Sequence, residues 1–147
     1  MIVGSEMGNA EMVGDVLKDE LESRDHAVEV FAQGGLDEAR LADRGLVLMV
    51  TSTTGLGDVP QNVETLYEEL VAERPDLSHI RYGLVGLGDR NYKDSYCGGP
   101  RKWDAILGEL GATCVGEKLF LDATDNPAPD EDAAIWLPSW LDVVSVL

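Results

Sequence analysis

The run Leu46-Val47-Leu48-Met49-Val50, closed by Thr51, limits the possible folds more than any other segment of this chain. Five apolar residues without a polar break describe a strand buried on both faces, whereas a strand with one wet face alternates. Such a strand needs layers on both sides of its sheet. Tyr82 to Leu87 repeats the pattern. Around these two runs lie helical periodicities. Ala10 to Arg24 places Met12, Val13, Val16, Leu17 and Leu21 on one face. Pro60 to Glu73 does the same with Val63, Leu66, Tyr67 and Leu70, and Pro60 suits a first helical turn. Further helices are predicted from Pro100 to Leu110, stopping at Gly111, and from Asp130 to Val146, where Pro138 is expected to kink or split the helix. Met1 to Gly4, Ala27 to Phe31 and Thr113 to Leu121 complete five strands. Strands alternating with helices, without repeats or a linker, predict one α/β domain over residues 1–147: a doubly wound parallel sheet with helices on both faces.

Composition narrows the function classes. A chain of 147 residues, 44% hydrophobic, holds one good core and not two. No run approaches the ~18 apolar residues of a membrane helix, and no basic segment leads into an apolar one at the amino terminus, so a soluble, cytoplasmic protein is expected. Cys97 and Cys114 do not make a zinc set or a redox pair, and two reduced thiols are expected. His26 and His79 lack partners at ligand spacing and read as surface residues, which leaves no metal site. Trp103, Trp136 and Trp140 stand at helical spacings, which predicts core packing for each. The net charge of −17 repels nucleic acid phosphates and anionic membranes and favours a basic protein partner. The same charge equally suits a merely solvated surface or a saline habitat.

Three turns rich in glycine and hydroxyl groups each follow a predicted strand: Gly4-Ser5-Glu6-Met7-Gly8-Asn9-Ala10, Thr51-Ser52-Thr53-Thr54-Gly55-Leu56-Gly57-Asp58, and Gly86-Leu87-Gly88-Asp89-Arg90-Asn91-Tyr92. In an open parallel sheet, ligands bind beyond the carboxyl ends of the strands, so three such turns would converge on one pocket. The first turn leads into a helix, whose free backbone N–H groups and positive dipole end suit an anion. Its spacing is neither G-x-x-x-x-G-K-[ST] nor G-x-G-x-x-G, which argues against a nucleoside triphosphate and the usual dinucleotide. A compact phosphate monoester remains. No G-x-S-x-G elbow is present.

These turns, with Tyr96-Cys97-Gly98-Gly99 after the third and Trp136-Leu137-Pro138-Ser139-Trp140 near the carboxyl end, resemble short-chain flavodoxins over essentially the whole chain, most closely the MioC group. The resemblance implies a flavodoxin-like five-stranded sheet of order 2-1-3-4-5 with FMN at its switch point. It implies that Ser5, Glu6, Met7, Gly8, Asn9 and Ala10 wrap the FMN phosphate, with Ser52 and Thr53 closing on it. Thr54, Gly55, Leu56 and Gly57 would form one flavin-embracing loop, with Gly55 as the peptide that turns over on reduction. Gly88, Asp89 and Cys97 would face the pyrimidine edge. Either Tyr92 or Tyr96 would stack on the ring, with Tyr92 preferred. Glu6 stands where the family usually has a neutral hydroxyl residue, and a carboxylate beside a phosphate dianion should weaken binding unless it points to solvent. Asp58, Asp89 and Asp94 would make the reduced flavin a stronger reductant. The implied function is a monomeric electron carrier, not an enzyme, between a basic-surfaced NAD(P)H-dependent reductase and an acceptor redox enzyme. Leu56 and Tyr92 would lie at the centre of the docking face. Two other readings stay open: an FMN-dependent NAD(P)H or quinone reductase on this fold, and a flavin-free regulatory module.

Overall fold

The computed structural model describes residues 1–6, 8–53, 57–88, 97–122 and 126–146. Its sheet is parallel throughout. Strand β1 (Ile2–Gly4) pairs with β2 (Leu46–Thr51), Gly4 lying opposite Thr51, and β2 pairs along its whole length with β3 (Arg81–Gly88). Two short strands, β4 (Thr113–Cys114) and β5 (Leu119–Asp122), share the far edge of β3. The fifth strand expected over Thr113 to Leu121 is thus divided. Gly116, at φ 71°, takes the chain out of extended geometry between the two pieces.

The strand expected over Ala27 to Phe31 is reduced to one bridge, Phe31 beside Ile2. Phe31 N–H donates to the Met1 carbonyl at 2.8 Å, and Val3 N–H donates to the Phe31 carbonyl at 2.9 Å. β1 pairs no further back than Ile2, so Ala27 to Val30 have no ladder beside them, and a groove of about 400 Å³ opens there. The spatial order still places this segment outside β1, as a 2-1-3-4-5 sheet requires.

Among the described residues five α-helices cover the sheet: α1 (Asn9–Ser23), α2 (Leu36–Ala39), α3 (Glu64–Glu73), α4 (Gly98–Glu109) and α5 (Pro129–Val144). Short 3-10 turns at Leu41–Asp43 and Gln61–Val63 precede β2 and α3. The α5 helix runs through Pro138 without a break, so the expected split does not occur. Met12, expected on the inner face of α1, is exposed.

Alternation within the buried strands explains the two cores. Val47 and Met49 join Tyr82, Leu84, Leu66, Leu70 and Trp103 on the face covered by α3 and α4. Leu48 and Val50 join Val85, Leu121, Val13, Leu17, Leu137 and Trp140 on the face covered by α1 and α5. A strand of period two that is apolar at every position feeds both layers. Trp103 and Trp140 are buried, while Trp136 is only half-buried: it stacks on Trp140 at 5.6 Å and donates its indole N–H to the Glu117 carbonyl. Both cysteines are free thiols.

Where the first core reaches the surface, Tyr82 O–H donates to Asp104 Oδ1 at 2.5 Å, and Lys118 Nζ donates to Asp104 Oδ2 at 2.5 Å. Burial, then the hydrogen bond to Asp104, pushes the phenol far above its ordinary value of 10.0; the same carboxylate raises Lys118. Both folded groups hold their protons at a pH where the unfolded chain releases them. This contribution to stability is therefore complete below about pH 10 and falls as pH rises above it. Urea unfolding midpoints measured from about pH 8 to pH 11 should decline, and the decline should be shallower in Tyr82→Phe.

Candidate flavin site

Parallel pairing brings the ends of β1, β2 and β3, from which the three turns depart, to one edge of the molecule. Ser52 N–H donates to the Gly4 carbonyl at 2.9 Å and Ser52 Oγ–H to the same oxygen at 3.3 Å, joining the first turn to the second. Thr53 Oγ1–H donates to the Leu87 carbonyl, and Thr53 Oγ1 accepts from Gly99 N–H, each at 3.2 Å. That one hydroxyl fastens the second turn to β3 and to the start of α4. A Cβ on Gly98 would lie 2.6 Å from the Gly57 Cα, so these two chain segments pass in backbone contact.

The first turn runs from a crowded glycine into an uncapped helix. Gly4 has no room for a side chain: a Cβ there would lie 2.6 Å from Thr51 Oγ1 and 2.9 Å from Val63 Cγ2. Gly8 precedes α1 at φ 86°, a left-handed geometry suited to glycine, and no side chain caps the helix. The first N–H groups of α1 have no intrahelical acceptor, and they carry the positive end of the helix dipole. Ser5 Oγ accepts from Gly8 N–H at 2.9 Å, which leaves its own proton free to donate outward.

Glu6 reaches toward the turn that precedes α3. Its side chain is exposed, and Oε1 accepts from Gln61 N–H at 3.2 Å. Asp58, one of the acids expected to tune the flavin, lies 2.8 Å from Lys102 Nζ, an exposed ion pair that offsets part of its charge. Cys97 is fully buried, at φ 51°, in the residue just before α4. Gly88 ends β3 and is half-buried. The remaining predicted contacts, Met7, Thr54, Gly55, Leu56, Asp89, Tyr92 and Tyr96, lie outside the described residues, as does Asp94.

The sequence reading missed Asn62. Its side chain accepts from Ser5 N–H at 3.0 Å and donates to the carbonyls of Val3 and Ala32, each at 2.8 Å. All three partners are at least thirty residues away in the chain, so no local pattern announces them. Two grooves on the described surface, one lined by Met1, Phe31 and Leu46 and the other by Ser78, His79 and Arg81, lie at the opposite, amino-terminal ends of the strands. Among the described residues no cluster of His, Cys, Asp or Glu could hold a metal ion. Among the same residues no helix is long and apolar enough to cross a membrane.

A parallel sheet with helices on both faces, and an uncapped helix amino terminus at the carboxyl end of its first strand, defines a doubly wound α/β protein. The chain belongs to the flavodoxin family: the Flavodoxin family model matches residues 1–136. It is 37% identical to protein MioC of Escherichia coli (strain K12), over 98% of this chain and 96% of that protein. The solved structure of a point mutant of flavodoxin from Pseudomonas aeruginosa superimposes with a TM-score of 0.89 at 32% identity, covering 98% of this chain and 96% of that one. A Fusobacterium nucleatum flavodoxin solved with flavin mononucleotide bound shares the fold, with a TM-score of 0.74 at 18% identity, covering 93% and 92% of the two chains.

Proposed function

We propose that this protein is an electron carrier that binds one FMN across the three turns, takes electrons from a basic-surfaced NAD(P)H-dependent reductase and delivers them to an acceptor redox enzyme. The observation that carries this reading is the convergence itself. The first turn offers a cradle for a phosphate, Ser52 ties the start of the second turn to it, and Thr53 ties that same start to the end of β3, where the third turn begins. FMN, when bound, supplies a ring able to accept one or two electrons. The protein's residues supply binding and orientation. The α1 amino terminus and the Ser5 hydroxyl hold the phosphate, with Asn9 and Ala10 in the first helical turn. Ser52 closes on it from the second turn through its link to Gly4. Thr53 holds the start of the second turn against β3, and Cys97 is buried at the head of α4. The charge of −17 draws a cationic partner to the surface and speeds encounter at low ionic strength.

Visible absorption and an FMN titration test this directly. Purified protein mixed with FMN should retain a yellow chromophore through gel filtration, and NAD(P)H alone should leave it oxidised. A flavodoxin reductase should then reduce it, at a rate that falls several-fold between about 50 and 300 mM salt. Protein that stays colourless in excess FMN would overturn the carrier reading. Direct oxidation of NAD(P)H would replace it with an oxidoreductase.

A further inference from the structure

Asn62 sits in the 3-10 turn Gln61–Val63, with its backbone fixed on one side by buried Val63 and on the other by Pro60. Two of its partners, the carbonyls of Val3 and Ala32, can only accept, and the third, Ser5 N–H, can only donate. The amide therefore has a single orientation, and both its N–H groups are committed to protein carbonyls. No donor remains to reach a phosphate. The amide instead joins three places: the end of β1, the first residue of the phosphate turn, and the residue after the Phe31 bridge.

This knot fixes what the turn can present. With Ser5 N–H directed at Asn62 Oδ1, the Ser5 side chain lies where its Oγ accepts from Gly8 N–H, and that contact sets the left-handed Gly8 from which α1 starts. The turn is thus held through Ser5 N–H, and neither the Ser5 hydroxyl proton nor the first N–H groups of α1 are spent on Asn62. An anion site held in shape before its ligand arrives avoids the ordering cost of a loop that closes on binding.

We propose that Asn62 is the positioning residue of the phosphate turn: it presets the geometry of Ser5 and Gly8 and so determines the phosphate's share of flavin affinity without contacting the phosphate. This inference rests on the carrier reading for its ligand but not for its geometry, and the test separates the two. Affinities for FMN and for riboflavin, which lacks the phosphate, should be measured by flavin fluorescence quenching in the natural protein, Asn62→Ala and Asn62→Asp. Loss of three hydrogen bonds should weaken FMN binding about 10- to 100-fold and leave riboflavin binding within about twofold. Asn62→Asp should be the weaker binder, because it sets oxygens against the Val3 and Ala32 carbonyls and adds a negative charge. Amide hydrogen exchange in the flavin-free protein supplies the second readout: Ser5 and Gly8 should exchange faster in Asn62→Ala, while Val85, deep in β3, should not change. Parallel losses for both flavins, or unaltered exchange at Ser5 and Gly8, overturns the proposal. A natural protein that binds no FMN overturns the carrier reading instead, and the exchange measurement still decides the role of Asn62.

Discussion

Gly99→Ala should lower FMN affinity about 100-fold or more while leaving most of the sheet intact. A Cβ at this position would stand 2.5 Å from the Ser52 carbonyl oxygen, 3.0 Å from the Asp58 carbonyl oxygen and 3.2 Å from the Thr53 Cα. All three are backbone atoms, so no side chain can rotate away. Either α4 or the second turn must shift, and a shift also stretches the Gly99 N–H bond to Thr53 Oγ1, already 3.2 Å. Overpacking of this kind costs roughly 1–3 kcal/mol of stability. The effect on binding is expected to be larger, because the displaced segment carries Ser52 and Thr53, which the proposed FMN site uses. Gly108→Ala, on the same helix, is the control: no atom lies within 4 Å of its Cβ position, and the substitution should stabilise α4 by about 0.5–1 kcal/mol with no change in affinity. Isothermal titration with FMN and thermal unfolding of both variants make the comparison. Unchanged FMN affinity in Gly99→Ala would mean that the second turn does not need its present seat against α4.

The contrast between these two glycines shows what the sequence could and could not convey. Buried strands are legible because apolar runs such as Leu46 to Val50 respond to burial on both faces, and β2 and β3 stand where those runs predict. The helix faces follow from period, with Met12 as the exception: its flexible side chain lies on the solvent side of α1. Edges are harder, because a strand's existence depends on its neighbour. The alternation at Ala27 to Phe31 is genuine, yet only Phe31 finds a partner, since pairing along β1 reaches no further than Ile2. The interruption between β4 and β5 depends on one glycine that looks ordinary in sequence. At the site, the glycine and hydroxyl content of the turns drew attention to them; Ser5 bonds Gly8 within the first turn, Ser52 bonds Gly4, and Thr53 bonds Leu87. Asn62 was not readable, because its three bonds join segments that only the folded sheet places side by side. The direction of the Glu6 carboxylate, toward Gln61, likewise depends on a residue 55 positions away.

Trp140→Ala should cost about 3–5 kcal/mol of folding stability, a third or more of what a domain of this size usually possesses. Trp140 is 2% exposed, donates its indole N–H to the Val115 carbonyl at 3.1 Å, and stacks on Trp136 with an interplanar angle of 19°. Its ring lies directly over Gly83: a Cβ there would come within 2.5 Å of the indole, so the absence of a side chain in mid-strand is what lets α5 approach β3 so closely. Removing the indole empties that seat, strands the Val115 carbonyl and exposes one face of Trp136, and the glycine beneath offers nothing to fill the space. Gly83→Ala should destabilise by roughly 1–3 kcal/mol for the opposite reason, too much volume in one seat. If the two residues form a single fitted pair, the Gly83→Ala and Trp140→Phe changes should be less damaging together than their sum, since the smaller ring gives the new methyl room. Urea unfolding of the four-member cycle measures this coupling. The site should be little affected in the folded fraction: Gly83 lies early in β3, away from its carboxyl end, so FMN affinity of folded Trp140→Phe should stay within about threefold of the natural protein. A large loss of FMN affinity there would show that α5 packing reaches the turns, and strict additivity would show that ring and glycine are not matched.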